Sequence, residues 1–305
     1  MPEPGPRVGI AGLGLIGASL ALALRESAHA AAIHGWDRDA AIGERAAGSG
    51  VIDRACADLA QLRRDVDVLV IAVPTLAAAS LLRELLAAGE AGASLPIITD
   101  VASVKGPLRD VAAAADPALA ARFVPGHPIA GSERSGLAAA DATLFREHRV
   151  ILTPLAATDA KALAVVTAMW EAAGAVVETL AVDEHDAVLA ATSHLPHVLA
   201  FALVDALARS ERSDDIFRFA AGGFRDFTRI ASSDPVMWRD VTVANAPALL
   251  EVIDDFTRRL ADLRGAVADG NAAALESTFR HAKAARDEFS QDLSGRMRRA
   301  SETGG

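Results

Sequence analysis

Two sets of residues in this chain have types and spacings that could do chemistry. The first is Gly12-Leu13-Gly14-Leu15-Ile16-Gly17, with Asp37 twenty residues after the last glycine. Gly12 would permit a tight turn, Gly14 would let a pyrophosphate approach the backbone, and Gly17 would let a helix pack closely on a strand. Free amides and the positive dipole end at the start of that helix suit phosphates. The Asp37 carboxylate could accept both hydroxyls of an adenosine ribose. That favours NAD over NADP, because Arg38 would offset the repulsion of a 2′-phosphate only in part. The second set comprises Val73-Pro74-Thr75, Asp100-Val-Ala-Ser103-Val-Lys105-Gly106 and Pro125-Gly126-His127-Pro-Ile-Ala-Gly131-Ser132-Glu133-Arg134-Ser135-Gly136. Imidazole titrates near neutral pH, so His127 beside a nicotinamide could take the O–H proton as a hydride leaves an alcohol carbon. Ser103 could orient that imidazole, bond the substrate oxygen, or merely hold a turn.

The C-terminal part adds two further groups. Ser193-His194-Leu-Pro-His197 places two histidines three residues apart on one side of a helix. A zinc site is not expected, because no glutamate follows the first histidine in protease fashion and no third ligand is spaced nearby. Gly222-Gly-Phe-Arg225-Asp226-Phe227-Thr228-Arg229 sets two arginines four residues apart among phenylalanines. Partial burial by those aromatic rings would require carboxylate partners for the arginines, and Asp226 could serve one of them.

The elements that must carry these groups alternate between strand and helix patterns, the mark of a parallel sheet covered on both faces. Strands are expected at 8–11, 31–36, 66–73, 95–99, 122–124, 149–153 and 175–179, with helices at 15–24, 76–88 and 161–173. The stretch 66–73 is almost continuously apolar, as a strand buried on both faces should be. The His127 segment has a loop composition. The three segments of the second set fall where strands end, and ligands of open α/β sheets bind at such ends. After residue 180 only helical patterns remain: 182–209 with a kink at Pro196, then 234–243, 247–268 and 271–293, followed by a frayed polar tail. The expected organisation is a doubly wound, Rossmann-type dinucleotide-binding domain over 1–180 and a helical substrate-binding and dimerisation domain over 181–305. The site would lie between them.

Composition restricts the function classes. The chain has 305 residues, 51% of them hydrophobic and 23% charged, as in an ordinary well-cored protein. A net charge of −10 without a basic run argues against nucleic acid. One cysteine, Cys56, fits a reducing cytoplasm. No signal peptide is evident, and the apolar stretches are interrupted by charge or proline before membrane-spanning length. The apolar positions of 248–263 and 198–207 exceed what a small bundle needs, so a homodimer through the helical half is expected.

With these blocks in this order, the chain resembles the prephenate/arogenate (cyclohexadienyl) dehydrogenases of tyrosine biosynthesis over nearly all of residues 7–295. The resemblance rests on the Gly12–Gly17 loop, Asp100–Gly106, Gly126–Gly136, Ser193–His197, and Gly222–Arg229 followed by Asp234-Pro-Val-Met-Trp-Arg239. It implies NAD-dependent oxidative decarboxylation, with His127 as the catalytic histidine and Ser103 beside it. It also implies that Arg229 holds a substrate carboxylate and that Ser132, Glu133 and His197 line the pocket. Arg225 stands where relatives often carry lysine. Any inhibition by tyrosine is then expected to be competitive at this pocket, since no separate amino-acid-sensing segment is evident.

Other readings are a dehydrogenase of an amino-substituted prephenate analogue, which would share every motif, and a β-hydroxy acid dehydrogenase. The latter relies on a lysine, and Lys105 is the one candidate among Lys105, Lys161 and Lys283. An NAD-sensing regulator would need a DNA- or partner-binding module, and no such pattern is visible.

Overall fold

The computed structural model describes residues 5–87, 95–132 and 134–303. Strands β1 (Arg7–Ala11), β2 (Ala32–Trp36), β3 (Arg54–Ala55), β4 (Val68–Ile71), β5 (Ile97–Asp100) and β6 (Phe123–Val124) form one sheet in the order β3-β2-β1-β4-β5-β6. Every pairing in it is parallel. Helices α1 (Leu15–Glu26), α2 (Ala40–Gly48), α3 (Leu59–Arg64), α4 (Thr75–Ala87), α5 (Gly106–Ala113), α6 (Pro117–Ala120) and α7 (Ala160–Ala172) belong to this half. The order reverses between β1 and β4, which opens a crevice for a dinucleotide at their C-terminal ends.

Alternate side chains of the central strands explain why they read as unbroken apolar runs. Val8, Ile10, Val68 and Val70 enter one core, while Leu69, Ile71 and Ile98 enter the other. Each fully buried side chain of this size contributes about 1.5–3 kcal/mol relative to exposure. The sheet is therefore a rigid platform for whatever its C-terminal edge carries.

Beyond β6 the chain departs from the expected single sheet. Pro125 follows β6, and β7 (Gly126–Pro128), β8 (Arg149–Leu152) and β9 (Val176–Thr179) form a separate three-stranded sheet. β7 runs antiparallel to β8, with His127 opposite Ile151. The segment read as a loop is thus a buried strand at its start, and a strand of loop-like composition is formed here by pairing rather than by propensity. The short edge strand β3 was also not anticipated.

The helical half contains α8 (Val182–Leu189), a π-helical turn (Ala190–His194), α9 (Leu195–Ala208), α10 (Ser213–Arg218), α11 (Gly222–Thr228), a 3₁₀ turn (Arg229–Ser232), α12 (Pro235–Ala244), α13 (Ala246–Ala268) and α14 (Ala272–Thr303). Asp234 caps α12 by accepting the Val236 and Met237 amides at 2.8 and 2.9 Å. α14 continues to Thr303 rather than fraying after Leu293. Pro196 follows the π-helical turn, and Val182–Ala208 runs on as 27 helical residues that include an 18-residue window of mean hydropathy 1.7. By length and composition that run could span a membrane, contrary to the sequence expectation. It carries buried His185, Asp186 and His194 with hydrogen-bond partners inside the protein, while only 22% of its apolar window is buried within the chain. The chain divides into compact units Met1–Leu249 and Leu250–Gly305.

Candidate active site

The glycine loop has the geometry its sequence requires. Gly12 has φ +102°, and a Cβ there would lie 2.3 Å from the Ala72 carbonyl oxygen. A Cβ at Gly17 would lie 2.0 Å from the Gly12 carbonyl oxygen, so only glycine lets α1 start so close to β1. At Gly14, by contrast, a Cβ would meet nothing within 4 Å, which leaves the approach to the α1 N-terminus open. Leu13 is fully buried, whereas Leu15 and Ile16 are half-buried on the first turn of α1. Asp37, just past β2, accepts the Leu13 amide at 2.8 Å and the Asp39 amide at 3.0 Å. Its carboxylate is thereby fixed beside the glycine loop, and Arg38 next to it is exposed. Val73 and exposed Pro74 follow β4 on the same sheet edge. An open glycine cradle and a helix N-terminus to donate to phosphates, with a fixed carboxylate to accept from a ribose, are what a dinucleotide needs.

His127 sits in the middle of β7 and is only 9% exposed. Burial, reinforced by His185, Lys105 and His194, lowers its pKa well below 6.5, so the ring is a neutral base at neutral pH. Its Nδ1 lies 2.9 Å from Nε2 of His185, and Nδ1 of His185 lies 2.7 Å from Oδ1 of Asp186. Asp186 also accepts the Lys105 amide at 2.9 Å and the Gly106 amide at 2.8 Å. Burial opposes its ionisation, yet His185 and the two amides hold its pKa below the usual range. Neither His185 nor Asp186 stood out in the sequence. This His-Asp pair is buried, whereas Asp183 and Glu184 just before it are exposed, a difference the sequence does not carry.

Ser103 is half-buried on the loop after β5, and that loop is braced to β7 by Lys105. The Lys105 ammonium, fully buried, pairs with Asp100 and donates to the Gly126 carbonyl at 2.6 Å. Asp100 in turn accepts the Gly126 amide at 3.2 Å and the Ala102 amide at 2.8 Å. Both polar groups of the backbone immediately before His127 are therefore tied to one buried ion pair. Burial lowers the Lys105 pKa, and Asp100 opposes this. Lys105 is thus fully engaged in structure, and the candidate base of a β-hydroxy acid dehydrogenase is lost.

In the helical half His194 and His197 have different surroundings. His194 is 1% exposed, with its Nδ1 3.0 Å from Asn245 Nδ2, and burial lowers its pKa to about 4. His197 Nδ1 lies 2.9 Å from the Ser193 carbonyl oxygen. Its ring stacks on Trp238 with centroids 3.5 Å apart and an interplanar angle of 18°. The Trp238 and Asn245 contributions were not foreseen, although Trp238 lies in one of the motif blocks. Arg229 opens the 3₁₀ turn that packs on α9, the helix of His197. The phenylalanines bury this segment only in part: Phe224 is half-buried and Thr228 buried, whereas Phe227 is 52% exposed and Arg225 and Arg229 are exposed too. Arg225 pairs with Asp226 at 3.4 Å, as the spacing suggested. Ser132 is exposed and accepts the Arg134 amide at 3.2 Å, while Glu133 lies outside the described residues. No group of three metal-ligating side chains occurs among the described residues.

The chain matches two family models: the prephenate dehydrogenase nucleotide-binding domain over residues 20–179 and the prephenate dehydrogenase dimerization domain over residues 181–281. It is 37% identical over 283 residues to the cyclohexadienyl dehydrogenase of Zymomonas mobilis, covering 92% of this chain and 94% of that one. The crystal structure of prephenate dehydrogenase from A. aeolicus, in complex with hydroxyphenyl propionate and NAD+, superposes with a TM-score of 0.85 at 34% identity. It covers 95% of this chain and 100% of its own. The Synechocystis arogenate dehydrogenase structure gives a TM-score of 0.77 at 29% identity, with 93% and 99% covered.

Proposed function

The chain belongs to the prephenate dehydrogenase family, and from that premise we propose that it oxidatively decarboxylates prephenate, arogenate or both with NAD, as a step of tyrosine biosynthesis in the cytoplasm. The substrate ring bears a hydroxyl and, opposite it, a quaternary carbon with a carboxylate. Removing hydride and proton from the carbinol creates a vinylogous β-keto acid, and loss of CO2 then makes the ring aromatic. When bound, NAD takes the hydride. The protein must supply a base at the hydroxyl and a cation at the carboxylate.

The observation that carries this reading is the buried, neutral imidazole of His127, on a strand braced to the Ser103 loop at the sheet edge. His127 takes the hydroxyl proton, and Ser103 orients the imidazole or bonds the same oxygen. Arg229 holds the ring carboxylate, while Ser132, Glu133, His197 and Arg225 line the pocket. Asp37, Arg38, Val73, Pro74 and residues Gly12–Gly17 hold the dinucleotide, with the Asp37 carboxylate favouring the unphosphorylated ribose of NAD. The division of labour follows the change of architecture near residue 180, with the nucleotide on the sheet and the substrate carboxylate on the helical side.

A homodimer through the helical half is part of the proposal. Support comes from the dimerization-domain match and from apolar side chains left in solvent, among them Phe219, Val243, Leu260 and Phe279 at 53–75% exposure. Light scattering should give twice the chain mass. The function is tested by steady-state NADH production with prephenate, arogenate and a panel of β-hydroxy acids. Turnover of a β-hydroxy acid alone would overturn it.

A further inference from the structure

We infer that His185 and Asp186 are the positioning pair of the base: they hold His127 in the tautomer that leaves Nε2 free for the substrate proton, and they receive the charge it acquires. This rests on the reading of His127 above. An ionised carboxylate only accepts hydrogen bonds. Asp186 is kept ionised by the Lys105 and Gly106 amides, so His185 must donate to it from Nδ1. A His185 that carries its one proton on Nδ1 offers Nε2 as an acceptor, and the His127 nitrogen facing it at 2.9 Å is then the donor. The remaining lone pair of His127 is on Nε2, on the far side of the ring. The chain of bonds therefore has a single sense, set by a carboxylate two side chains away from the reacting oxygen.

Proton uptake follows the same line. The substrate O–H bond breaks as its proton joins His127 Nε2. The Nδ1 proton of His127 can then pass to His185 Nε2, which makes His185 the imidazolium, 2.7 Å from the Asp186 carboxylate. Positive charge is thereby moved toward a fixed anion. The other groups facing His127 cannot do this. The Lys105 ammonium is already cationic and engaged by Asp100 and the Gly126 carbonyl. His194 resists protonation, with its pKa lowered to about 4 by burial. Its Nδ1 accepts one hydrogen of Asn245 Nδ2, whose other hydrogen goes to the Asp186 carbonyl at 2.8 Å and braces the residue that sets the sense.

The decisive test is long-range 1H–15N NMR on the full-length enzyme labelled with 15N-histidine, at neutral pH and without substrate. His127 and His185 should both carry their proton on Nδ1. A His127 proton on Nε2 would overturn the inference and leave the family reaction untouched. Conversely, absence of turnover with prephenate and arogenate would sink the proposed function while the tautomers stood as measured. In kinetics, His185→Asn keeps a donor toward Asp186 and removes the acceptor for His127. It should lower kcat roughly tenfold to a hundredfold, the scale seen when the partner orienting a functional histidine is lost. KM for both substrates should stay within about twofold, and the acidic limb of kcat/KM should move. A variant with wild-type kcat and an unmoved limb would refute the role. If His185→Asn fails to fold, the NMR measurement on the wild type decides alone.

Discussion

Replacing His127 by asparagine separates the base from the scaffold that holds it. The asparagine amide can occupy the place of Nδ1 and keep a donor toward His185, 2.9 Å away in the native protein, while Nε2 disappears. The Asp100–Lys105 pair holds the backbone of Gly126 and does not involve the imidazole, so β7 should retain its position. Destabilisation should stay near ~1 kcal/mol, typical of point substitutions. The barrier, however, loses a positioned base, worth ~10²–10⁴-fold in rate, or about 3–5 kcal/mol. Initial rates of NADH formation should show kcat reduced by that factor with KM for NAD and for the cyclohexadienyl substrate little changed. The pH dependence provides a second reading of the same claim. A protonated imidazole has no lone pair to offer, so wild-type kcat/KM is lost as pH falls through the folded pKa of His127. Burial sets that pKa well below 6.5, so activity should persist through pH 6.5 and fall only in more acid buffer. In His127→Asn that limb should vanish. An unchanged kcat at neutral pH would remove His127 from the mechanism, and a wild-type limb above pH 6.5 would contradict the burial argument.

Three further outcomes follow from other parts of the site. Asp37→Ser removes the charge facing a 2′-phosphate and should relax the preference for NAD; a wild type with better kcat/KM for NADP would contradict the role of this carboxylate. Arg229→Ala should raise KM for the substrate roughly tenfold to a hundredfold, the usual worth of a hydrogen bond to a charged group, and a normal KM would shift the carboxylate to another cation such as Arg225. Lys105→Met strands the Asp100 carboxylate in the interior and should cost about 3–5 kcal/mol in denaturant unfolding, with part of the loss recovered in the Lys105→Met, Asp100→Asn double variant. A single variant as stable as wild type would mean that the buried pair does not brace β7.

What could be read from the sequence depended on whether the signal was local. The glycine loop, Asp37 and β4 each follow from rules acting within a few residues: a positive φ, a helix N-terminus, an apolar run with both faces covered. The cap at Asp234 and the helical half after residue 180 are of the same kind. His127 was identified by type and by its place after a strand, but not as a strand residue. Gly126-His127-Pro128 has almost no intrinsic strand tendency, and its conformation comes from pairing with β8 more than twenty residues away. Lys105 misled for a related reason. A lone lysine beside a candidate site invites a catalytic reading, and only the tertiary position of Asp100 and Gly126 reveals it as a brace.

His185 and Asp186 are the most instructive omission. Successive residues on a helix do not ordinarily face each other, so His-Asp in sequence suggests no interaction, and two polar residues in the first turns of a helix suggest solvent. Their burial is imposed from outside, by the α5 loop that packs on α8 and offers two backbone amides to the carboxylate. The same contact ties the loop bearing Ser103 to the residue that orients the base. Substitutions at Asp186 should therefore affect both the tautomer of His127 and the position of Ser103, whereas substitutions at His185 should affect only the first. A site read from motifs contains the groups that touch substrate. The groups that decide which proton those atoms carry are placed by packing, and here they lie in the acidic first turns of a helix whose sequence suggests only a solvated start.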